Sequence, residues 1–166
     1  MSAPEPALLR RGVVAMQRCA TRLRRSVQRL DPFFPVGADR LQKLAPEQQD
    51  DIDAFLKRFE QLVLTLQDQV FIGLAIREGE DSREMSRRDV TELMERLGAI
   101  PSARQFRDFV AVRNRLAHLY PEDPARQAAN LNAAYHAAPH LLQTSEQVGG
   151  FAAPPNDASS GGAAAS

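Results

Sequence analysis

The chain is nearly without cysteine. Cys19 is the only one, so no disulfide can close within it. In its helical surroundings Cys19 reads as a small buried or half-buried side chain. No Cys/His spacing suits a metal site. Charge of one sign is also missing: Lys+Arg and Asp+Glu are both 21. That excludes a protein that coats nucleic acid by net charge alone, while leaving room for a local basic patch. No apolar run approaches the ~18 residues of a membrane span, and the N-terminus lacks the apolar core of a signal peptide. We therefore expect a reducing cytoplasm and no membrane. There is no Gly-rich phosphate loop, no Ser or Cys nucleophile with a base partner, no internal repeat and no sustained strand alternation.

What is present is helical periodicity. At 166 residues the length suits one domain. A first helix is expected from about 7 to 30, with Val13, Met16, Ala20, Leu23, Val27 and Leu30 as its apolar stripe. Arg18, Arg22, Arg25 and Arg29 step the same way on the opposite side. They read either as a solvated face or as a basic rail for a polyanion. A turn of helix over 38–43 leads to a long second helix, 46–77. Ile52, Phe55, Phe59, Leu62, Val63, Leu66, Val70 and Leu74 form its main stripe, and Leu64, Phe71, Ile72 and Ala75 a second. Asp68 falls among the second set, where a carboxylate is costly unless paired. Ser86 with Asp89 predicts a capping box, and Gly98 a helix stop. Ser102 with Gln105 opens a fourth helix that Pro121 should end. Asp123-Pro124 opens a fifth, expected to reach about Ala138, where Pro139 interferes. The fold expected is all-α, an up-and-down antiparallel bundle of four to five helices over 1–148. The segment 149–166, "GGFAAPPNDASSGGAAAS", has little to bury and is expected to be disordered.

The stretch "RNRLAHLYPEDP" carries the chemistry. On a continuous helix Phe109, Val112, Leu116 and Leu119 share a core-facing arc. Arg113 and Tyr120 lie along one edge of it, and Asn114 and His118 are neighbours on the other. Ala117 leaves a shallow notch between them. Arginine offers phosphate a planar fork of donors, and histidine exchanges protons near neutral pH. The bland alternative is surface residues or a satisfied core pair. His136 and His140 read as surface residues.

"RNRLAHLY" fits the Arg-x4-His-x-Tyr pattern of HepT-like toxins of the HEPN superfamily. "LMERLGAIPSARQFRDFVAVRNRLAHLYPEDP" resembles the corresponding region of those proteins, as does "LQD" at 66–68, so the likeness spans most of 55–135. The resemblance implies a HEPN-like bundle and a metal-independent endoribonuclease, without cofactor. It implies a homodimer whose motif helices line a cleft between protomers. It also implies a minimal nucleotidyltransferase antitoxin, assembled with the toxin as a larger hetero-oligomer, that transfers AMP to the motif tyrosine, here Tyr120. Many relatives carry an acidic residue between the His and the Tyr, where this chain has Leu119.

The reaction so implied is attack of a 2′-hydroxyl on the adjacent phosphorus. His118 would serve as base or acid, Arg113 would stabilise the growing charge, and Asn114 would orient the phosphate or the imidazole. Asp68 either makes a structural bond between helices or supports this cleft by holding Arg113 or His118. Arg18, Arg22, Arg25, Arg29 and Arg115 are candidate RNA contacts. Tyr120 is either an amphipathic residue at a helix end or the AMP acceptor. The competing functions are a non-catalytic helical module that presents substrate to a nucleotidyltransferase, and a purely structural dimerisation bundle.

Overall fold

A computed structural model describes residues 5–118 and 122–154. Among them there is no strand. The helices are α1 (Glu5–Leu30), α2 (Ala38–Leu41), α3 (Pro46–Thr65), α4 (Phe71–Arg77), α5 (Arg87–Leu97), α6 (Ala103–Leu116) and α7 (Pro124–Ala152). Leu66–Val70 form a π turn that joins α3 to α4 without a break.

Four long units pack in a ring: α1, α3 with α4, α6, and α7. Cross-contacts fix their directions. Arg29 of α1 reaches Asp51 of α3, while Leu9 lies against Gly73 of α4, so these two run antiparallel. Arg113 of α6 meets Glu60 of α3, while the Phe106 and Phe71 rings stand 4.8 Å apart, so α6 reverses direction again. Arg24 of α1 reaches Glu146 of α7, and the Tyr135 hydroxyl donates to Asp31 Oδ1 at 2.6 Å, so α7 runs antiparallel to α1. That bond to a carboxylate, aided by burial, holds the Tyr135 phenol above the usual phenolic range. The bundle is thus up-and-down, as the short connections require.

The stripes become the core. Met16, Leu23, Leu30, Phe55, Phe59, Leu62, Leu66, Leu74 and Phe106 are all buried, with Val13 and Val27 at the margin. Where α1 crosses the π turn and α4, glycines allow close approach. A Cβ on Gly12 would stand 3.2 Å from the Gln69 Cβ, and one on Gly73 3.2 Å from the Leu9 backbone. Cys19 is half-buried, its Sγ 3.9 Å from the Thr65 hydroxyl.

The caps form as the sequence requires. Ser86 Oγ accepts from the Asp89 N–H, and Asp89 Oδ2 accepts from the Ser86 N–H, each at 3.1 Å. Ser102 Oγ accepts from the Gln105 N–H, and Asp123 from the Arg126 N–H. Gly98 ends α5 at φ 81°, a left-handed conformation that a side chain would strain.

Three expectations are corrected. First, α7 does not stop at Pro139; it runs on through Gly149 and Gly150 to Ala152. Pro139 is exposed, so water can take the carbonyl that its ring leaves unbonded. Ala134, Ala138, Leu141, Leu142 and Val148 are buried on the other face. Their burial, at about 1.5–3 kcal/mol for each large aliphatic side chain, offsets the ~3 kcal/mol that an internal proline costs. Ordered helix therefore enters the segment that composition marked as disordered; 155–166 lie outside the described residues. Second, α6 ends at Leu116, ahead of Pro121. A proline at 121 cannot bond to the carbonyl one turn earlier, so the helix loses support there. The chain tightens instead, with the His118 N–H donating to the Arg115 carbonyl at 3.3 Å. Third, Asp68 is not on a buried face: its side chain is 44% exposed, while its neighbour Gln67 is buried.

Candidate functional site

Arg113 sits in the last turn of α6, where the adjoining outer surface is α3. Its side chain is only 22% exposed, so the stem is packed and the guanidinium is carried at the seam between the two helices. The Nε stands 3.6 Å from Glu60 Oε1 of α3. It is fully buried and makes no hydrogen bond among the described residues. Nη1 donates to Asn114 Oδ1 at 3.5 Å. One edge of the fork therefore faces Glu60 and one corner faces Asn114. Cations in a last turn also favour the negative end of the helix dipole, which supplies a structural reason for Arg113 and Arg115.

His118 lies two residues beyond the end of α6 and is exposed. The helix therefore ends between Asn114, which is in its last turn, and His118. Ala117 is the exposed C-cap, its N–H donating to the Arg113 carbonyl at 3.2 Å. Phe109 and Val112 are buried and Leu116 half-buried, as the arc requires. Leu119 and Tyr120 lie outside the described residues.

Asp68 is placed differently from the expectation that it serves this cleft. Its Oδ1 is 3.0 Å from Arg87 Nη2 at the start of α5, and it contacts neither Arg113 nor His118 among the described residues. The helix-to-helix bond, the plainer of the two readings, is what the fold contains. The carboxylate that does reach Arg113 is Glu60, which the sequence did not single out. Nothing local marks Glu60, because its partner comes from a helix that chain order alone does not pair with it.

The arginines of α1 divide. Arg29 pairs with Asp51 at 3.5 Å and Arg24 with Glu146 at 3.1 Å. Arg18, Arg22 and Arg25 are exposed, and no ion pair engages them among the described residues. Arg18 and Arg22 line a groove of about 390 Å³ between α1 and α3, with Gln61, Thr65, Asp68 and Gln69 opposite. Arg115 is exposed beside Asn114. His136 and His140 are exposed on α7. Among the described residues no group of His, Cys, Asp and Glu side chains comes together to hold a metal ion, and no helix is long and apolar enough to cross a membrane.

The long contact between Arg113 and Glu60 supports a first expected result. Substituting Glu60→Ala should cost under about 1 kcal/mol of stability, because the carboxylate is half exposed. It should nevertheless speed exchange of the Arg113 Nε–H with water, read in nitrogen-15 NMR of the arginine side chains. An equally protected signal in Glu60→Ala would mean that burial alone holds the fork.

Fold and geometry together define an all-helical bundle with a basic, partly anchored surface cluster at one helix end. Comparison with family models, with curated proteins and with solved structures returns no match.

Proposed function

We propose that the chain is a HepT-like toxin of the HEPN superfamily, a metal-independent endoribonuclease neutralised by a nucleotidyltransferase antitoxin. The observation that carries this reading is Arg113. Its Nε edge is turned to Glu60 and its Nη1 to Asn114, and among the described residues Nη2 makes no hydrogen bond. A guanidinium held on one side and open on another suits a phosphate oxygen. His118 follows within the same turn of surface, in the spacing that the family pattern requires.

The chemistry is transesterification. His118 takes the proton of a ribose 2′-hydroxyl as its oxygen bonds to the neighbouring phosphorus. The bond from phosphorus to the 5′-oxygen breaks, and that oxygen leaves with a proton. The products are a 2′,3′-cyclic phosphate and a 5′-hydroxyl. Arg113 bears the charge that grows on the non-bridging oxygens, and Asn114 orients the phosphate. Two copies in one cleft supply one imidazole as base and one as acid. Val14, at 47%, is the one large apolar side chain left exposed among the described residues. Pairing of protomers therefore rests on polar and small residues, with Ala111 and Ala117 exposed along α6 allowing close approach. AMP on Tyr120, two residues beyond His118 in the chain, would add a bulky anion to the motif and exclude RNA by charge and volume.

The test uses the purified chain and single-stranded RNA in the presence of a chelator. Cleavage should leave cyclic phosphate ends, and a 2′-deoxy residue at the scissile position should stop it. After co-expression with a minimal nucleotidyltransferase of the antitoxin type, mass spectrometry should find Tyr120 carrying AMP and the cleavage gone. RNA that stays intact, or cleavage that tolerates the missing 2′-hydroxyl, would leave the non-catalytic partner role as the better account.

A further inference from the structure

We infer that the groove between α1 and α3 is the bed for single-stranded RNA, with Arg18 and Arg22, which line it, and Arg25, next along the same face of α1, as phosphate contacts; this rests on the ribonuclease reading for the identity of the polyanion. The α1 arginines are not equivalent. Arg29 and Arg24 are already neutralised, by Asp51 and by Glu146. Arg18, Arg22 and Arg25 lie on one exposed face without an ion pair among the described residues. Like charges four residues apart on a helix repel, so an uncompensated row is a standing cost that an anion would relieve.

The opposite wall is suited to nucleic acid. Gln61, Thr65 and Gln69 offer groups that both donate and accept hydrogen bonds. Asp68, the carboxylate on that wall, is compensated by Arg87 at 3.0 Å. A protein partner would want apolar anchors at the centre of its interface, and among the described residues Val14 is the one large apolar side chain exposed. Nucleic-acid interfaces are instead polar and basic. Domains that bind double-stranded RNA contact it over about 16 base pairs, more than one groove of about 390 Å³ between two helices offers, so a single strand is the better fit.

The groove also leads to the proposed reaction centre. Gln61 lines it, and the next residue back along α3, Glu60, holds Arg113. Lys57, Glu60, Gln61 and Leu64 form one outward stripe of α3, which Asp68 of the π turn continues. α1 flanks that stripe on one side and α6 on the other. A strand lying along the α1 arginines therefore needs only to cross this stripe to reach Arg113 and Asn114. No aromatic ring lines the groove, so binding rests on charge rather than on base stacking.

The experiment measures anisotropy of a labelled, single-stranded 2′-O-methyl RNA, which cannot be cleaved by 2′-hydroxyl attack, over a series of salt concentrations. The full-length chain should bind it with a steep salt dependence. Exchanging Arg18, Arg22 and Arg25 together for Gln should weaken binding by about ten- to a hundredfold and flatten the log–log salt slope by about 2. Arg24→Gln, on the paired arginine, should leave both unchanged. Circular dichroism confirms that each variant is folded, and the corresponding Glu exchanges should give a larger loss in the same order. Binding that survives the triple exchange, equal weakening by Arg24→Gln, or no binding by the unaltered chain would each overturn the inference. So would displacement of the RNA by polyglutamate at equal affinity, which would assign the groove to an acidic protein. Groove-dependent binding by a chain that leaves natural RNA uncut would instead overturn the ribonuclease reading and leave this one standing.

Discussion

On the ribonuclease reading, His118→Ala should lower the rate of RNA cleavage by about two to four orders of magnitude, and Arg113→Ala should do the same. The two losses have different structural costs. His118 lies past the end of α6 and is exposed, so its removal should leave stability within about 0.5 kcal/mol. A lost rate is then a chemical loss. Arg113 is only 22% exposed, and alanine there also removes packed methylenes. Arg113→Lys is the sharper variant, since it keeps charge and stem but not the planar fork. It should bind RNA nearly as well and cleave it far more slowly. Single-turnover cleavage with a folding control decides the matter. A purified His118→Ala protein that cleaves at the unaltered rate refutes the assignment, and full activity in Arg113→Lys reduces the guanidinium to a point charge.

The largest expected effect on stability is at Phe106. Its side chain is 1% exposed, its ring 4.8 Å from Phe71 and 6.0 Å from Phe109. With Phe109 and Val112 it packs α6, which carries Arg113, into the core beside the α3–α4 helix. Truncation to alanine leaves a cavity between helices that cannot close without moving one of them. The expected cost is about 3–5 kcal/mol, a large share of the roughly 5–15 kcal/mol that a domain has. Phe106→Leu should cost much less, because most of the volume remains. Urea denaturation reads both. A loss under about 1 kcal/mol for Phe106→Ala, at an unchanged denaturant slope, would mean that the ring is not the anchor its surroundings make it.

The candidate cluster was partly legible before the fold was known. Arg113, Asn114 and His118 stand out because their residue types suit phosphate and their spacing fits a known pattern. What surrounds them was not legible. Asp68, acidic beside an apolar stripe, read either as a bond between helices or as support for this cleft; it pairs with Arg87, and the carboxylate at Arg113 is Glu60.

By itself the sequence determined what acts within three or four residues. The apolar stripes follow from the helical period, and the helix starts at Ser86, Ser102 and Asp123 from side chains that reach their own backbone. The stop at Gly98 follows from a residue that tolerates positive φ. Tertiary structure alone decided which arginines are neutralised, which carboxylate meets Arg113, and that α7 passes Pro139 and two glycines. Those outcomes depend on surfaces brought together from distant parts of the chain. Burial against the neighbouring helices outweighs the local preference of a proline or a glycine, and ion pairs form with whichever charge the packing places within reach.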